Sequence, residues 1–169
     1  MHVIEAVNAL VHPMRITVMG SSSLLAHDPS LGEPGQPLEL SLDADLLLEP
    51  TDEAQAAVLH EAVGEGSLFH REYGVYVELL RPEIEETLPP GWRDRCTAIE
   101  GMQHTVCLDP YDLAVAKLAV GREKDIGLFR ELVTRGFIDL EVLRRRYRET
   151  PMDENRMVRA GRALARLRG

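Results

Sequence analysis

Apolar and polar residues alternate along LELSLDADLLL, residues 38–48 of a chain of 169 residues. This alternation is typical of a β-strand that buries one face and turns the other towards solvent. We therefore predict a half-buried strand over this stretch. Ser41, Asp43 and Asp45 would project from its polar face, with about 6.6 Å between successive side chains along the strand.

The neighbouring segments predict the rest of a small sheet. A β-branched run at 15–19 predicts a strand that ends at Gly20, and a loop rich in proline and glycine follows at 28–37. Residues 75–80 predict another strand, in which Glu78 is the only charged residue, and a hairpin is predicted around Gly101. Helical spacing and capping residues predict helices at His2–Val11 with Pro13 after it, Ser23–Ala26, Thr51–Val63 with Thr51 as its cap, and Ser67–Tyr73.

From Asp109 onwards the sequence predicts helices only. Asp109 is an N-cap residue with proline at the first helical position, and Gly121 ends that helix. Further helices are predicted over Glu123–Arg135, after the cap Asp139, and after Thr150-Pro151. The predicted fold class is α+β: a small mixed or antiparallel sheet with helices packed on it in a domain of residues 1–108, and a helical subdomain of residues 109–169.

Composition excludes several classes of protein. Hydrophobic residues make up 44% of the chain and charged residues 28%, as in ordinary globular domains. The apolar runs are far shorter than the roughly 20 residues of a membrane span. Glu5 interrupts the N-terminus early, which argues against a secretory signal, and Cys96 and Cys107 are too few for a disulfide framework or a zinc site. We expect a cytoplasmic protein that does not bind membranes.

The net charge of −9 is unevenly distributed. Residues 140–169 contain nine arginines and four acidic residues, whereas the chain before them is strongly acidic. An acidic body disfavours non-specific binding of nucleic acid, and the basic tail can reverse this locally. Arg144-Arg145-Arg146 is interpreted first as a solvated helix face, with an RNA contact as the alternative.

Asp43 and Asp45 are candidate metal ligands. Mg²⁺ prefers oxygen ligands and is often held by one or two carboxylates together with substrate phosphates. A third carboxylate from a neighbouring strand, for which Glu78 is the candidate, would allow two ions to bind about 3.5–4 Å apart. The alternative is that both aspartates belong to the solvated face of an antiparallel strand.

A second candidate site is the turn at Gly20-Ser21, between a predicted strand and a predicted helix. Such a turn presents backbone N–H groups and the positive end of a helix, and together these bind phosphate. Strand, Gly-Ser turn, helix and then LDADL at 42–46 resemble the polymerase-β-type nucleotidyltransferase superfamily. In that superfamily the Gly-Ser pair contacts nucleotide phosphates and the aspartates bind the metal ions. A departure is Glu78, where the superfamily usually has aspartate.

The later chain resembles small bacterial nucleotidyltransferase-like proteins related to the AbiEii and MenT toxins of type IV toxin–antitoxin systems. The resemblance lies in LDPYDL at 108–113, KLA at 117–119 and GREKDI at 121–126. It also covers Ser41, since these relatives have a Ser or Thr two residues before the first aspartate.

By this resemblance Lys117 and Arg122 would bind triphosphate, and Asp125 would complete the acidic site or orient a base. The alternative is a network of charges on the helix surface, in which Asp112 pairs with Lys117, or Arg122 with Asp125.

Together these features predict a Mg²⁺- or Mn²⁺-dependent nucleotidyltransferase, an enzyme that moves a nucleotidyl group from a nucleoside triphosphate to an acceptor hydroxyl. Asp43, Asp45 and Glu78 would bind the metal, with Glu78 helping to deprotonate the acceptor, and Gly20 and Ser21 would hold phosphate. The resemblance implies a toxin whose acceptor is RNA, such as tRNA, or protein, and whose partner is a cognate antitoxin. The alternatives are a non-catalytic binding module with a degenerate site and a metal-dependent phosphohydrolase.

Overall fold

A computed structural model describes residues 2–10, 15–50 and 52–168, apart from the side chain of His2. The chain divides into two compact units. The first unit comprises Met1–Pro82 and Cys96–Leu108, and the second unit comprises Glu83–Arg95 and Asp109–Gly169. Residues 83–95 therefore fold with the later helices rather than with the sheet.

The first unit contains a mixed sheet, which among the described residues has five strands. The strands are β1 (Arg15–Val18), β2 (Asp43–Glu49), β3 (Tyr76–Leu79), β4 (Thr97–Ala98) and β5 (Thr105–Cys107). Their spatial order is β3-β2-β1-β5-β4. β1 pairs antiparallel with β2 and parallel with β5, β2 pairs parallel with β3, and β4 pairs antiparallel with β5. The α+β class and the hairpin around Gly101 are confirmed.

The described part of the first unit also contains helices. They are α1 (His2–Leu10), α2 (Ser21–His27), α3 (Glu53–Val63) and α4 (Leu68–Tyr73), with a 3₁₀-helix at Pro29–Gly32. Ala44, Leu46 and Leu48 of β2 are buried in one hydrophobic core together with residues of α1 and α3. The alternation thus has the predicted effect over 43–46, whereas Leu47, on the face of Asp43 and Asp45, is buried as well.

The second unit consists mainly of helices. They are α5 (Trp92–Arg95), α6 (Pro110–Val120), α7 (Glu123–Thr134), α8 (Leu140–Glu149) and α9 (Glu154–Ala165). Asp109 caps α6 by accepting hydrogen bonds from the N–H groups of Tyr111 and Asp112, at 3.0 and 3.1 Å. Gly121 ends this helix with a φ of 75°, a conformation that favours glycine. The predicted boundaries of α6 are confirmed.

The predicted strand over 38–48 is too long at its start. Residues before Asp43 form turns, in which the N–H of Leu38 donates to the carbonyl oxygen of Leu31 at 2.9 Å. Leu40, predicted to be buried, is 83% exposed. The physical reason is that β1 pairs only with 46–49 and β3 only with 43–46, so the earlier residues have no strand to pair with.

The last helix begins later than predicted. The last helix begins after Asp153, which accepts from the N–H of Arg156 at 2.9 Å, and not after Thr150-Pro151. The proposed cap Thr51 and the residues Val11 and Pro13 lie outside the described residues, and α3 is capped by Asp52. None of the helices described is long and apolar enough to cross a membrane.

Candidate functional site

Three carboxylates meet on one face of the sheet of the first unit. Asp43, Asp45 and Glu78 each offer a carboxylate oxygen, and these oxygens all lie within 4.8 Å of one another. Asp43 and Asp45 are half-buried, and Glu78 is exposed. We call these residues the acidic triad. The structure thus brings together the three residues that the sequence suggested as metal ligands.

The register of β2 and β3 explains why the triad forms. The two strands run parallel, with Asp43 beside Tyr76 and Asp45 beside Glu78. Residues two apart on a strand share a face, so all four side chains project to the same side of the sheet, away from the core that Ala44 joins. A slip of one residue in this pairing would turn Glu78 to the opposite face and dissolve the triad.

Gly20 makes room for the Asp45 carboxylate. A Cβ atom at position 20 would lie 1.7 Å from Oδ2 of Asp45 and 2.6 Å from its Cγ. Both distances are far shorter than a non-bonded contact, so any other residue would displace the carboxylate. The N–H of Met19 donates to the carbonyl oxygen of Asp45 at 2.8 Å and keeps the two chain segments close. Glycine at position 20 therefore leaves the Asp45 carboxylate its place in the triad.

The two serines suggested as nucleotide-binding residues, Ser21 and Ser41, lie in different surroundings. Ser21 is the first residue of α2 and is half-buried, but Ser23 makes the bonds to the turn, since its hydroxyl and its N–H donate to the carbonyl oxygen of Gly20 at 2.8 and 3.0 Å. Ser41 lies just before β2, and its N–H donates to the carbonyl oxygen of Leu38 at 3.0 Å. Its Oγ is buried and has no hydrogen-bond partner in the described part of the chain.

Tyr76 is a part of this site that sequence reasoning missed. Burial raises the pKa of its phenol, and the negative charges of Asp43, Glu65 and Glu78 raise it further. The phenol and the carboxylates therefore share one acidic environment. The signal was present in the sequence, because Tyr76 precedes Glu78 by two residues in a predicted strand and must share its face.

The residues matched to the helical signature lie in the second unit. Nζ of Lys117 on α6 and Oδ1 of Asp125 on α7 are 3.7 Å apart. Asp125 is buried, whereas Arg122 is exposed at the N-cap position of α7. Lys117 thus pairs with an aspartate on the following helix.

Asp112 forms a buried charge cluster that sequence reasoning also missed. Its Oδ2 accepts a hydrogen bond from Nε of Arg95 at 2.9 Å, and its Oδ1 accepts one from Nη1 of Arg146. Burial raises the pKa of the Asp112 carboxyl, and the two arginines oppose that shift. The suggested pair of Asp112 with Lys117 is wrong, because arginines 17 and 34 residues away occupy both carboxylate oxygens. Local spacing could not reveal such distant partners.

The donor set of the acidic triad fits a hard divalent cation. Oxygen ligands of one octahedral Mg²⁺ lie roughly 2.9–4.2 Å apart, given Mg–O distances of about 2.0–2.1 Å. Oxygens within 4.8 Å of one another need only small side-chain rotations to reach this spacing. Within the residues described, Asp43 and Glu78 form no ion pair. A bound cation would therefore relieve the repulsion between like charges.

A mixed sheet with acidic residues on adjacent strands, next to a strand-to-helix Gly-Ser turn, is an arrangement that resembles the nucleotidyltransferases. A family model described as a nucleotidyltransferase of unknown function (DUF6036) matches residues 2–163. The chain belongs to this family. No curated protein and no solved structure matches it. The family model supports the likeness to nucleotidyltransferases and does not single out the AbiEii and MenT proteins.

Proposed function

We propose that this chain is a metal-dependent nucleotidyltransferase that moves a nucleotidyl group from a nucleoside triphosphate to an acceptor hydroxyl. The observation that carries the proposal is the meeting of Asp43, Asp45 and Glu78 within 4.8 Å. Membership of a nucleotidyltransferase family supports the reaction class. Mg²⁺ is the proposed cofactor, with Mn²⁺ as a substitute, and the nucleoside triphosphate is the proposed substrate.

The different exposure of the three carboxylates supports different roles. Asp43 and Asp45, half-buried on β2, would hold the metal. When bound, the metal supplies positive charge that stabilises phosphate oxygens. Glu78 is exposed and would accept the proton of the acceptor hydroxyl, while the acceptor oxygen bonds to phosphorus and pyrophosphate leaves. Gly20 acts indirectly, by leaving space for the Asp45 carboxylate.

Further contacts to phosphate are proposed from the resemblance. Ser21 and the backbone of Gly20 would contact phosphate, and the Oγ of Ser41 is free to bond a ligand because it has no partner among the described residues. Lys117 and Arg122 are proposed to bind triphosphate, and the exposure of Arg122 leaves it accessible to a ligand. Asp125, 3.7 Å from the Lys117 ammonium, would orient that lysine.

We also propose a biological role as the toxin of a type IV toxin–antitoxin pair. Support comes from the resemblance of residues 108–126 to the AbiEii and MenT relatives. RNA, such as tRNA, or protein would then be the acceptor, and a cognate antitoxin would be a partner. Expression of the chain should arrest bacterial growth, whereas expression of the Asp43→Asn variant should leave growth normal. Equal growth arrest by both proteins would contradict this role.

The reaction is tested with nucleoside triphosphates labelled at the α-phosphate, Mg²⁺ or Mn²⁺, and bulk RNA or protein. We expect label transfer that falls about 10²–10³-fold in Asp43→Asn, the range seen when one electrostatic group is removed from an active site. Asp94→Asn is the matched control, because Asp94 is an exposed carboxylate on α5.

Other outcomes would overturn the proposal in distinct ways. Release of phosphate without transfer would identify a phosphohydrolase. Absence of transfer, together with a melting temperature that does not respond to divalent cations, would identify a non-catalytic binding module.

A further inference from the structure

A cleft lies beside Glu78, against the edge strand β3. Its volume is about 440 Å³, and its lining includes His60, Glu65, Tyr76, Glu78 and Leu79. This volume falls within the range of roughly 300–1,000 Å³ that is usual for small-molecule sites. The cleft shares Glu78 with the acidic triad and adds residues of its own, so it can hold a second ligand next to the proposed metal.

Backbone groups add hydrogen-bonding capacity to the cleft. The N–H groups of Tyr76 and Leu80 donate to the carbonyl oxygens of Leu42 and Leu46 in the neighbouring β2 segment, at 3.0 and 2.8 Å. Backbone polar groups alternate in direction along a strand, so those of Leu79 point to the other side, where the cleft lies. The corresponding groups of Val77 pair with Gly64, so Leu79 offers a hydroxyl ligand one backbone donor and one backbone acceptor.

The charge of the first unit selects among possible ligands. This unit contains fourteen acidic residues and three arginines, a net charge of −11, whereas the second unit has a net charge of +2. Glu65 and Glu78 are both exposed at the cleft. Such a field attracts cations and repels polyanions such as RNA. The ring of Tyr76 contacts the ring of His70, with centroids 4.8 Å apart, and its phenol oxygen can accept a hydrogen bond from an ammonium group.

We propose that this cleft binds the acceptor of the transfer reaction, and that the acceptor is a small hydroxyl compound carrying an amine. This inference rests on the proposed transfer reaction, and it replaces the RNA or protein acceptor of the proposed toxin role with a small molecule. Glu65 and Tyr76 hold the ammonium group, and the adjacent hydroxyl lies next to Glu78. The hydroxyl oxygen bonds to the α-phosphorus, the bond to pyrophosphate breaks, and the hydroxyl proton passes to Glu78. Glu65 is thus a specificity residue outside the triad.

Binding is tested first, without turnover, by NMR titration of the full chain with glucosamine and glucose, two sugars that differ by one amine. We expect glucosamine to shift the amide signals of Tyr76 and Leu79 and to bind at least tenfold more tightly than glucose. Glu65→Gln should remove this preference. Glu61→Gln should keep it, because Glu61 is an exposed residue of α3 with the same charge. Equal binding of the two sugars would overturn the inference.

Transfer is tested with the same two sugars and bulk RNA as acceptors of the labelled nucleotide. We expect Glu65→Gln to raise the KM for glucosamine at least tenfold and to leave the KM for the triphosphate unchanged. Transfer to RNA that is insensitive to Glu65→Gln would overturn the acceptor assignment and leave the proposed function standing. Selective binding of glucosamine with no transfer to any acceptor would overturn the proposed function and, with it, the acceptor role.

Discussion

Each unit contains a cluster of charged side chains, and the two clusters differ in how their charge is balanced. Asp112 in the second unit is fully buried and bonded to Arg95 and Arg146. In the first unit Asp43 and Glu78 lie within 4.8 Å of like charges and, within the described residues, form no ion pair. Paired buried charges hold a fold in one arrangement, whereas gathered like charges oppose folding until a cation binds. We infer that the second cluster serves packing and the first serves a ligand.

The largest effect is expected at the buried cluster. Asp112→Asn should lower the free energy of unfolding by about 3–5 kcal/mol, because it leaves two arginines beside an uncharged side chain. Urea denaturation measures this. Glu131→Gln is the control, since Glu131 forms an exposed ion pair with Arg135 and such pairs contribute about 0–1 kcal/mol. Equal decreases in the free energy of unfolding of the two variants would show that the burial of Asp112 does not add to the stability of the fold.

The stability of the acidic triad, unlike that of the buried cluster, should depend on a bound cation. A concentration of Mg²⁺ one hundred times its Kd should stabilise the chain by about 2.7 kcal/mol, and Asp43→Asn should abolish this gain. With a chelator present the same variant should be as stable as the natural chain or more stable, because one of three like charges is gone. Thermal melts in both conditions test this. A variant less stable in the chelator would mean that Asp43 supports the fold.

A smaller effect is expected where a glycine supports the triad. Gly20→Ala should weaken Mn²⁺ binding at least tenfold, or about 1.4 kcal/mol, because its Cβ would lie 1.7 Å from Oδ2 of Asp45. Calorimetric titration with Mn²⁺ gives the affinity. Gly127→Ala, in open space on α7, should leave Mn²⁺ binding unchanged. Unaltered binding in Gly20→Ala would show that Asp45 is not a ligand.

The smallest effect is expected at an exposed pair of the second unit. Hydrogen bonds from Arg166 lower the pKa of Glu123, whose carboxylate it meets at 2.7 and 2.8 Å. A lowered pKa means that this pair stabilises the fold above the pKa of the unfolded chain, and that the contribution is lost as pH falls through the folded pKa. Arg166→Gln should raise the pKa of Glu123 in an NMR titration. An unchanged pKa would show that the pair does not form in solution.

Local features of the fold were predictable because they depend on neighbouring residues. Asp109 and Asp139 cap helices as predicted, since a cap needs only its own side chain and the next N–H groups. The start of the last helix was not predictable in this way, because Thr150 and Asp153 are both good caps. Thr150 instead donates its hydroxyl to the carbonyl oxygen of Arg146 at 2.8 Å and so belongs to the end of α8.

The candidate site shows the same division between near and distant interactions. That Asp43 and Asp45 share a face follows from their spacing, because side chains alternate along any strand. That Glu78 and Gly20 lie against Asp45 does not follow from spacing, since it depends on which strands pair and in which register. Strand pairing is set by hydrogen bonds between residues far apart in the chain, and only the folded molecule reveals them.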